Sequence, residues 1–210
     1  MLKIWGRANS VNVKKVLWLL EELGLPYDRV DAGMEFGVVN EPAYRAMNPN
    51  GRVPTIEDDG LILWESNSVL RYLAMKHDSP LYPASPAARA SADRWMDWQL
   101  STLGPAERNL FWGMVRTPAD KRDMAAVMAA AKGAGECWAM LDAHIEAHGW
   151  PFIDGEHMTI ADIVLGCYAR RWFGPEVHVQ GMPHFPALAA WYAAIGGRPG
   201  FKRWVAVPMT

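Results

Sequence analysis

An α/β domain followed by an all-α domain is the fold class that this sequence predicts, and three observations predict it. Strand-like and helical patterns alternate over residues 1–77. Residues 78–86, DSPLYPASP, contain three prolines and interrupt the periodic pattern. Residues 87–210 then read as helices with no convincing strand. The chain is therefore expected to form two domains joined by a linker at 78–86.

The first half of the α/β domain has a strand-helix-strand pattern. Leu2–Trp5 is a short apolar run, and Val13–Leu23 places its valines and leucines at helical spacing. Gly24 and Pro26 are residues that end a helix. Tyr27–Asp31 can then return as a strand parallel to the first.

The second half of this domain has a hairpin-helix pattern. Thr55–Asp58 and Leu61–Trp64 are separated by Asp59-Gly60, a dipeptide that suits a two-residue turn with positive φ. A helical pattern begins close to Ser66 and continues to His77. The complete order is that of a thioredoxin-like domain.

Two features around the hairpin suit a ligand that carries both a carboxylate and an ammonium group. The helix start at Ser66 offers free N–H groups and a positive dipole end to a carboxylate, while the neighbouring Glu65 suits an ammonium. Pro54 leaves the backbone of Val53 available to an extended peptide, and we predict that the Val53–Pro54 bond is cis. The alternative is that Ser66 only caps its helix.

The segment Asn48 to Tyr72, NPNGRVPTIEDDGLILWESNSVLRY, resembles the glutathione-binding half of the cytosolic glutathione transferases. The resemblance implies that glutathione is the co-substrate and that Val53, before Pro54, binds its cysteinyl backbone. It also implies that Glu65 and Ser66 hold the γ-glutamyl end. Arg52 and, from a loop that aligns poorly, Asn40 are expected to meet the glycine carboxylate.

The resemblance also implies a catalytic residue in the turn before the first helix. Ser10 falls where theta-like members place a serine, and Asn12 falls where some bacterial members carry an asparagine. No tyrosine precedes Tyr27 and no cysteine precedes Cys137, so a bacterial serine-type, theta-like or nu-like member is predicted. Lowering the pKa of a thiol by about two units takes about 2.7 kcal/mol, within reach of one hydroxyl donor and a helix N-terminus. Ser10 or Asn12 could instead serve only as a cap.

The pocket for a second substrate is predicted between the first loop and the early helices of the second domain. Trp5, Arg7 and Ala8 would lie on the first side, with Arg108 and Trp112 on the second. Arg108 and Arg116 either favour an anionic substrate or are surface charges. Trp112 is open to the alternative that it belongs to the core.

The composition excludes several other classes. A net charge of −2 gives no sign of a nucleic-acid or acidic-membrane partner, and no apolar run has the length of a signal peptide or membrane span. We therefore expect a cytoplasmic protein. His144 and His148 are four apart, but Ile145 stands where a zinc-protease motif needs an acid, so no metal is predicted. Cys137 and Cys167 read as buried thiols.

The second domain is predicted from helical periodicity and one cap. Thr159 and Asp162 have the spacing of a capping box, whose loss should cost on the order of 1 kcal/mol. The predicted helices of this domain are Ala87–Leu103, Asp120–His148, Ile160–Trp172 and Pro186–Ile195.

The function predicted from these residues and their resemblance is glutathione transfer to a hydrophobic electrophile, with detoxification as a typical role. Glutathione-dependent disulfide reduction is the alternative that Asn12 leaves open. A non-catalytic glutathione-binding or interaction module of the same fold is another. The resemblance further implies a homodimer.

Overall fold

A computed structural model describes residues 1–210. A four-stranded sheet lies in the first domain, in the order β2-β1-β3-β4. Strand β1 pairs with β2 in parallel and with β3 antiparallel, and β3 pairs with β4 antiparallel. The strands are β1 (Leu2–Trp5), β2 (Tyr27–Val30), β3 (Thr55–Asp58) and β4 (Leu61–Trp64).

The predicted hairpin is confirmed, with Asp59 at φ 50° and Gly60 at φ 84° in its turn. The three helices of this domain are α1 (Val11–Leu23), α2 (Pro42–Met47) and α3 (Ser66–Lys76). Gly24 ends α1 in the left-handed conformation, as predicted. The sequence reasoning did not predict α2, because its six residues are too few for a periodic signal.

The second domain is built from helices, and it contains one helix more than predicted. Helix α4 (Pro86–Trp98) continues through the wider π-helical turn Gln99–Leu103 into α5 (Gly104–Phe111), and a further π-helical turn extends it to Arg116. The later helices are α6 (Met124–His148), α7 (Ile160–Phe173) and α8 (Pro186–Gly196), followed by a last turn at Phe201–Val205. The predicted start of α6 at Asp120 is wrong, because Asp123 caps a helix that begins at Met124.

The two domains pack against each other through α1 and α7. Trp18 of α1 is wholly buried and reaches the backbone of α7 at Gly166, where a Cβ atom would lie 2.9 Å from its ring. Only glycine allows this approach. Buried side chains of both domains consequently form one continuous hydrophobic core.

The two faces of the sheet pack against different groups of side chains. Ile4 and Ile56 point into the shared core, whereas Trp5 points to the opposite face and packs against Tyr44 of α2 in a small separate cluster. The alternation of side chains along β1 accounts for this division. Helix α2 therefore closes the outer face of the sheet.

The capping box of α7 is confirmed. The Thr159 hydroxyl accepts from the backbone N–H of Ala161, and Asp162 accepts from the backbone N–H of Thr159 at 2.7 Å. Cys167 is buried as predicted, but Cys137 is only partly buried and packs at the edge of the core. No helix combines the length and the apolar character that crossing a membrane requires.

Candidate active site

A cavity of about 470 Å³ lies between the first loop of the α/β domain and helices α5 and α7 of the second domain. This volume is in the range of small-molecule sites. The sequence-predicted residues Arg7, Ser10, Asn12, Asn40, Arg52, Val53 and Trp112 are brought together in its lining.

Ser10 stands at the position just before α1, where a serine side chain usually caps the helix. Its backbone is extended, with φ −78° and ψ 126°, yet its hydroxyl makes no capping hydrogen bond. The residue is buried and lines the cavity. The hydroxyl is therefore free to donate to a ligand.

Asn12 connects this loop to the start of α3. Its Oδ1 atom lies 3.4 Å from the Ser66 hydroxyl, which donates to it. Ser66 is buried, whereas Glu65 is exposed, and neither lines the cavity itself. The predicted Glu65-Ser66 subsite thus adjoins the cavity through Asn12.

Glu65 has a backbone conformation that non-glycine residues seldom adopt, with φ 70° and ψ 109°. Such a conformation costs about 1–3 kcal/mol and is found mostly at functional sites. No side chain caps α3. The N–H groups of its first turn are therefore available to a ligand. The geometry favours a ligand at this helix start.

Helices α1 and α3 differ from the other six α-helices in how they begin. Helices α2, α4, α5 and α8 have proline in their first turn, and Asp123 and Thr159 cap α6 and α7. Helices α1 and α3 have neither a proline nor a side-chain cap. The two helix starts without either device are those that meet at Asn12 and Ser66.

The segment before β3 is held rigidly by two buried side chains. Tyr44 donates its hydroxyl to the Arg52 carbonyl at 2.6 Å, and Asn48 donates to the same carbonyl at 2.9 Å. The Val53–Pro54 bond is cis, as predicted. Arg52 is exposed at the cavity rim, and Val53 is half-buried in the lining.

Asn40 presents its amide in a defined orientation. Its Oδ1 atom accepts from Arg45 at 2.9 Å, so the NH₂ side remains for another acceptor. An amide donor and the Arg52 guanidinium together suit a carboxylate.

Positive charge dominates the cavity. Its lining contains Arg7, Arg52, Arg116 and Arg171 and no acidic residue. Burial and the charge of Arg116 lower the pKa of Arg7, and Glu35 opposes the shift. Such surroundings favour the charged form of a bound anion.

Besides Glu65 and Ser66, four predicted site residues do not line the cavity. Trp5 packs with Tyr44 on the opposite face of the sheet, and Pro54 is buried. Ala8 is half-buried against the core, and Arg108 is exposed on a different face of α5. Trp112 is 48% exposed and not part of the core.

Several lining residues were not among the predicted site residues. Asn9 donates to the Thr210 hydroxyl at 2.8 Å, and its buried Oδ1 atom has no partner. Arg171 reaches the cavity from α7, 161 residues after Ser10 in sequence. Asn9 could have been predicted from its position beside Ser10. Arg171 could not, because only packing decides which face of α7 meets the cavity.

A thioredoxin-like domain that meets a helical domain across such a cavity is the arrangement of the glutathione transferase fold. Comparison with known proteins agrees with this class. Residues 1–75 match the family model described as Glutathione S-transferase, N-terminal domain. Residues 119–194 match the model described as Glutathione S-transferase, C-terminal domain.

Individual relatives extend the match over the whole chain. The chain is 42% identical to "Glutathione S-transferase GstB" of Escherichia coli K12, with all of both chains covered. It is 45% identical to the theta class glutathione S-transferase of the citrus canker pathogen Xanthomonas axonopodis pv. citri, solved with glutathione bound. That match has a TM-score of 0.93 and covers 100% of this chain and 99% of the other.

A third likeness is to a glutathione transferase family member from Pseudomonas fluorescens, solved with two glutathione molecules bound. The TM-score is 0.85 at 28% identity, covering 99% of this chain and 93% of that one. The chain belongs to the glutathione S-transferase family.

Proposed function

We propose that this protein binds glutathione in the cavity and transfers its thiolate to a hydrophobic electrophile. The observation that carries the proposal is the meeting of two uncapped helix starts, at Ser10 and at Ser66, beside a cavity rich in arginine. Helix N-termini stabilise anions, and glutathione supplies a thiolate for one and a carboxylate for the other.

The charges of glutathione match the order of the side chains. Its γ-glutamyl end carries an ammonium and a carboxylate, which suit Glu65 and the start of α3 at Ser66. Its cysteinyl backbone would pair with Val53. Its glycine carboxylate would meet Arg52 and the free NH₂ group of Asn40.

The chemical step asks Ser10 for one hydrogen bond to the thiolate sulfur. A thiol with a pKa near 8.5 is only a few per cent ionised at neutral pH. A donor to a charged acceptor contributes roughly 1.5–3 kcal/mol, and the start of α1 adds about 0.3–1 kcal/mol. Together they are sufficient for a lowering of the thiol pKa by two units, which requires about 2.7 kcal/mol. The thiolate then attacks the electrophilic carbon, and the leaving group departs with its electron pair.

We also propose that the working assembly is a homodimer and that it acts in the cytoplasm. The support for both is the family likeness described above.

The Ser10→Ala substitution tests the proposed site. Thiolate absorbance of bound glutathione is followed against pH, and we expect the thiol pKa in the variant to rise by about one to two units relative to wild type. The matched control is Ser85→Ala, because Ser85 precedes α4 in the same way, also without a capping bond, but is exposed and outside the cavity.

An equal thiol pKa in wild type and Ser10→Ala would refute the role of Ser10. Binding with an unshifted thiol pKa in the wild type would favour an interaction module. Assays with hydroxyethyl disulfide and an aryl halide separate disulfide reduction, the alternative raised by Asn12, from conjugation.

A further inference from the structure

Building on the proposed glutathione transfer, we propose that the electrophile carries an anionic group, such as a carboxylate, which Arg7, Arg116 and Arg171 bind. A neutral hydrophobic electrophile would leave these three guanidinium groups without a counter-charge.

The cavity has more cations than glutathione can use. Among its lining residues are four arginines and no aspartate or glutamate. Arg52 and Asn40 suffice for the glycine carboxylate, and the γ-glutamyl end has its own partners at Glu65 and Ser66. Three arginines are left facing the remaining space.

Aromatic faces hold two of these arginines. The Arg171 guanidinium carbon lies 4.0 Å from the centroid of the Phe111 ring and 4.8 Å from that of Tyr168. That of Arg116 lies 5.9 Å from the Phe111 centroid. Contact with an aromatic face restrains a guanidinium while leaving its N–H groups available for a bidentate acceptor.

None of the three arginines forms an ion pair. The ion pairs of the chain involve other cationic residues. Glu35 is the acid whose charge acts on Arg7, but it is exposed and outside the cavity lining. No acidic residue of the cavity lining therefore neutralises their positive charge.

Arg7, the third of these arginines, is held at the opposite side of the cavity, in the α/β domain. Its Nε atom is buried and has no hydrogen-bond partner. Its guanidinium lies against Gly33, where a Cβ atom would be 3.3 Å from Nη1 and 3.5 Å from a Val53 methyl group. Arg7 is thus held beside the residue proposed to bind the cysteinyl backbone, close to where the reacting sulfur would lie.

The chemistry gives these charges a purpose. A thiolate and an anionic electrophile repel each other in water, so their reaction is slow. Cations between them remove this repulsion and orient the electrophilic carbon toward sulfur. The S–C bond forms, the bond from carbon to the leaving group breaks, and the halide leaves with the electron pair. The carboxylate itself is unchanged.

A pair of aryl chlorides tests the inference, because they differ only in the anionic group. We compare 4-chloro-3-nitrobenzoate with 4-chloro-3-nitrobenzamide at saturating glutathione, each rate divided by its uncatalysed rate. We expect the wild-type kcat/KM to favour the benzoate by at least tenfold. Arg116→Gln should lower kcat/KM at least tenfold for the benzoate, mainly through KM, and less than twofold for the benzamide.

Two further variants sharpen the comparison. Arg116→Lys keeps the charge and should retain part of the preference for the benzoate. Arg203→Gln is the matched control, since Arg203 is exposed, pairs with Glu21 and lies outside the cavity. It should leave both substrates unaffected.

Three results would overturn the inference. One is a benzamide used as well as the benzoate, and another is an Arg116→Gln effect equal on both substrates. The third is an effect of Arg116→Gln on the KM of glutathione alone, which would assign Arg116 to the co-substrate. If neither chloride reacts and glutathione does not bind, the proposed function itself is wrong, and titration of glutathione distinguishes that case.

Discussion

Lys15 is wholly buried, and its ammonium group contacts three side chains. Its Nζ atom donates to Gln99 Oε1 at 2.7 Å and to Asn67 Oδ1 at 3.2 Å, and it lies 5.1 Å from the centroid of the Tyr168 ring. These partners come from α3, the turn after α4, and α7, so Lys15 joins the two domains. Burial nevertheless lowers the pKa of Lys15 to about 7.

The Lys15→Met substitution should make stability depend differently on pH. The pKa of Lys15 is lowered from 10.5 to about 7 in the folded protein, so between these values the unfolded chain binds the extra proton. Wild-type stability therefore rises with pH in this window, by up to about 1.4 kcal/mol per unit. Denaturant unfolding at pH 7, 8 and 9 should show that the free energy of unfolding of the wild type, minus that of the variant, increases with pH.

Glu107 contributes a slope of the opposite sign, because burial raises its pKa to about 8. Subtracting the variant from the wild type removes that contribution. Exposed Lys132, changed to Met, controls for replacing a lysine in general. A difference in the free energy of unfolding that stays constant from pH 7 to 9 would contradict the prediction.

At the scale of the element, α7 shows how a capping residue became part of the core. The sequence predicted a cap whose loss costs on the order of 1 kcal/mol. Asp162 is in fact wholly buried, and it also accepts from the Ile153 backbone N–H at 3.0 Å and from Trp191 Nε1 at 2.8 Å. It therefore ties the start of α7 to the preceding loop and to α8.

Substitutions at the two capping-box positions should differ in cost. Thr159→Ala loses one cap and should lower the free energy of unfolding by about 1 kcal/mol. Asp162→Ala leaves several buried N–H groups unpaired and should lower it by about 3–5 kcal/mol. Urea denaturation midpoints measure both, and unchanged glutathione affinity in the folded variants confirms that the cavity is intact. Equal costs would restore the simple cap.

At the scale of the whole molecule, we propose that a second copy binds at the surface that β4, α3 and α4 form. Three large apolar side chains are exposed on neighbouring elements: Leu61 on β4, Met75 at the end of α3 and Leu100 after α4. Ion pairs from Arg71 to Asp93 and Asp97 hold α3 beside α4. Exposed apolar side chains of this size are common at interfaces between subunits.

Sedimentation equilibrium tests the proposed homodimer. We expect a mass of twice the 23.4 kDa of one chain for wild type at micromolar concentration. Met75→Lys should shift the mass toward that of the monomer, because it places a charge in the interface. Met128→Lys is the matched control, as Met128 is similarly exposed but on α6. A monomeric wild type would show that the dimer proposal is wrong.

The sequence by itself determined what depends on neighbouring residues. The Asp59-Gly60 turn, the glycine end of α1 at Gly24 and the Thr159 cap follow from local backbone chemistry. The segment Asn48 to Tyr72 likewise carried the family resemblance, because its residues are contiguous in the chain.

Only the tertiary structure decided what depends on distant residues. Sequence could not choose between Arg108 and Arg116, since both lie on helical turns, and packing alone places Arg116 in the cavity and Arg108 outside it. Arg171 and the three partners of Lys15 come from separate elements. Their meeting is fixed by the shared core of the two domains, a long-range property that no local pattern contains.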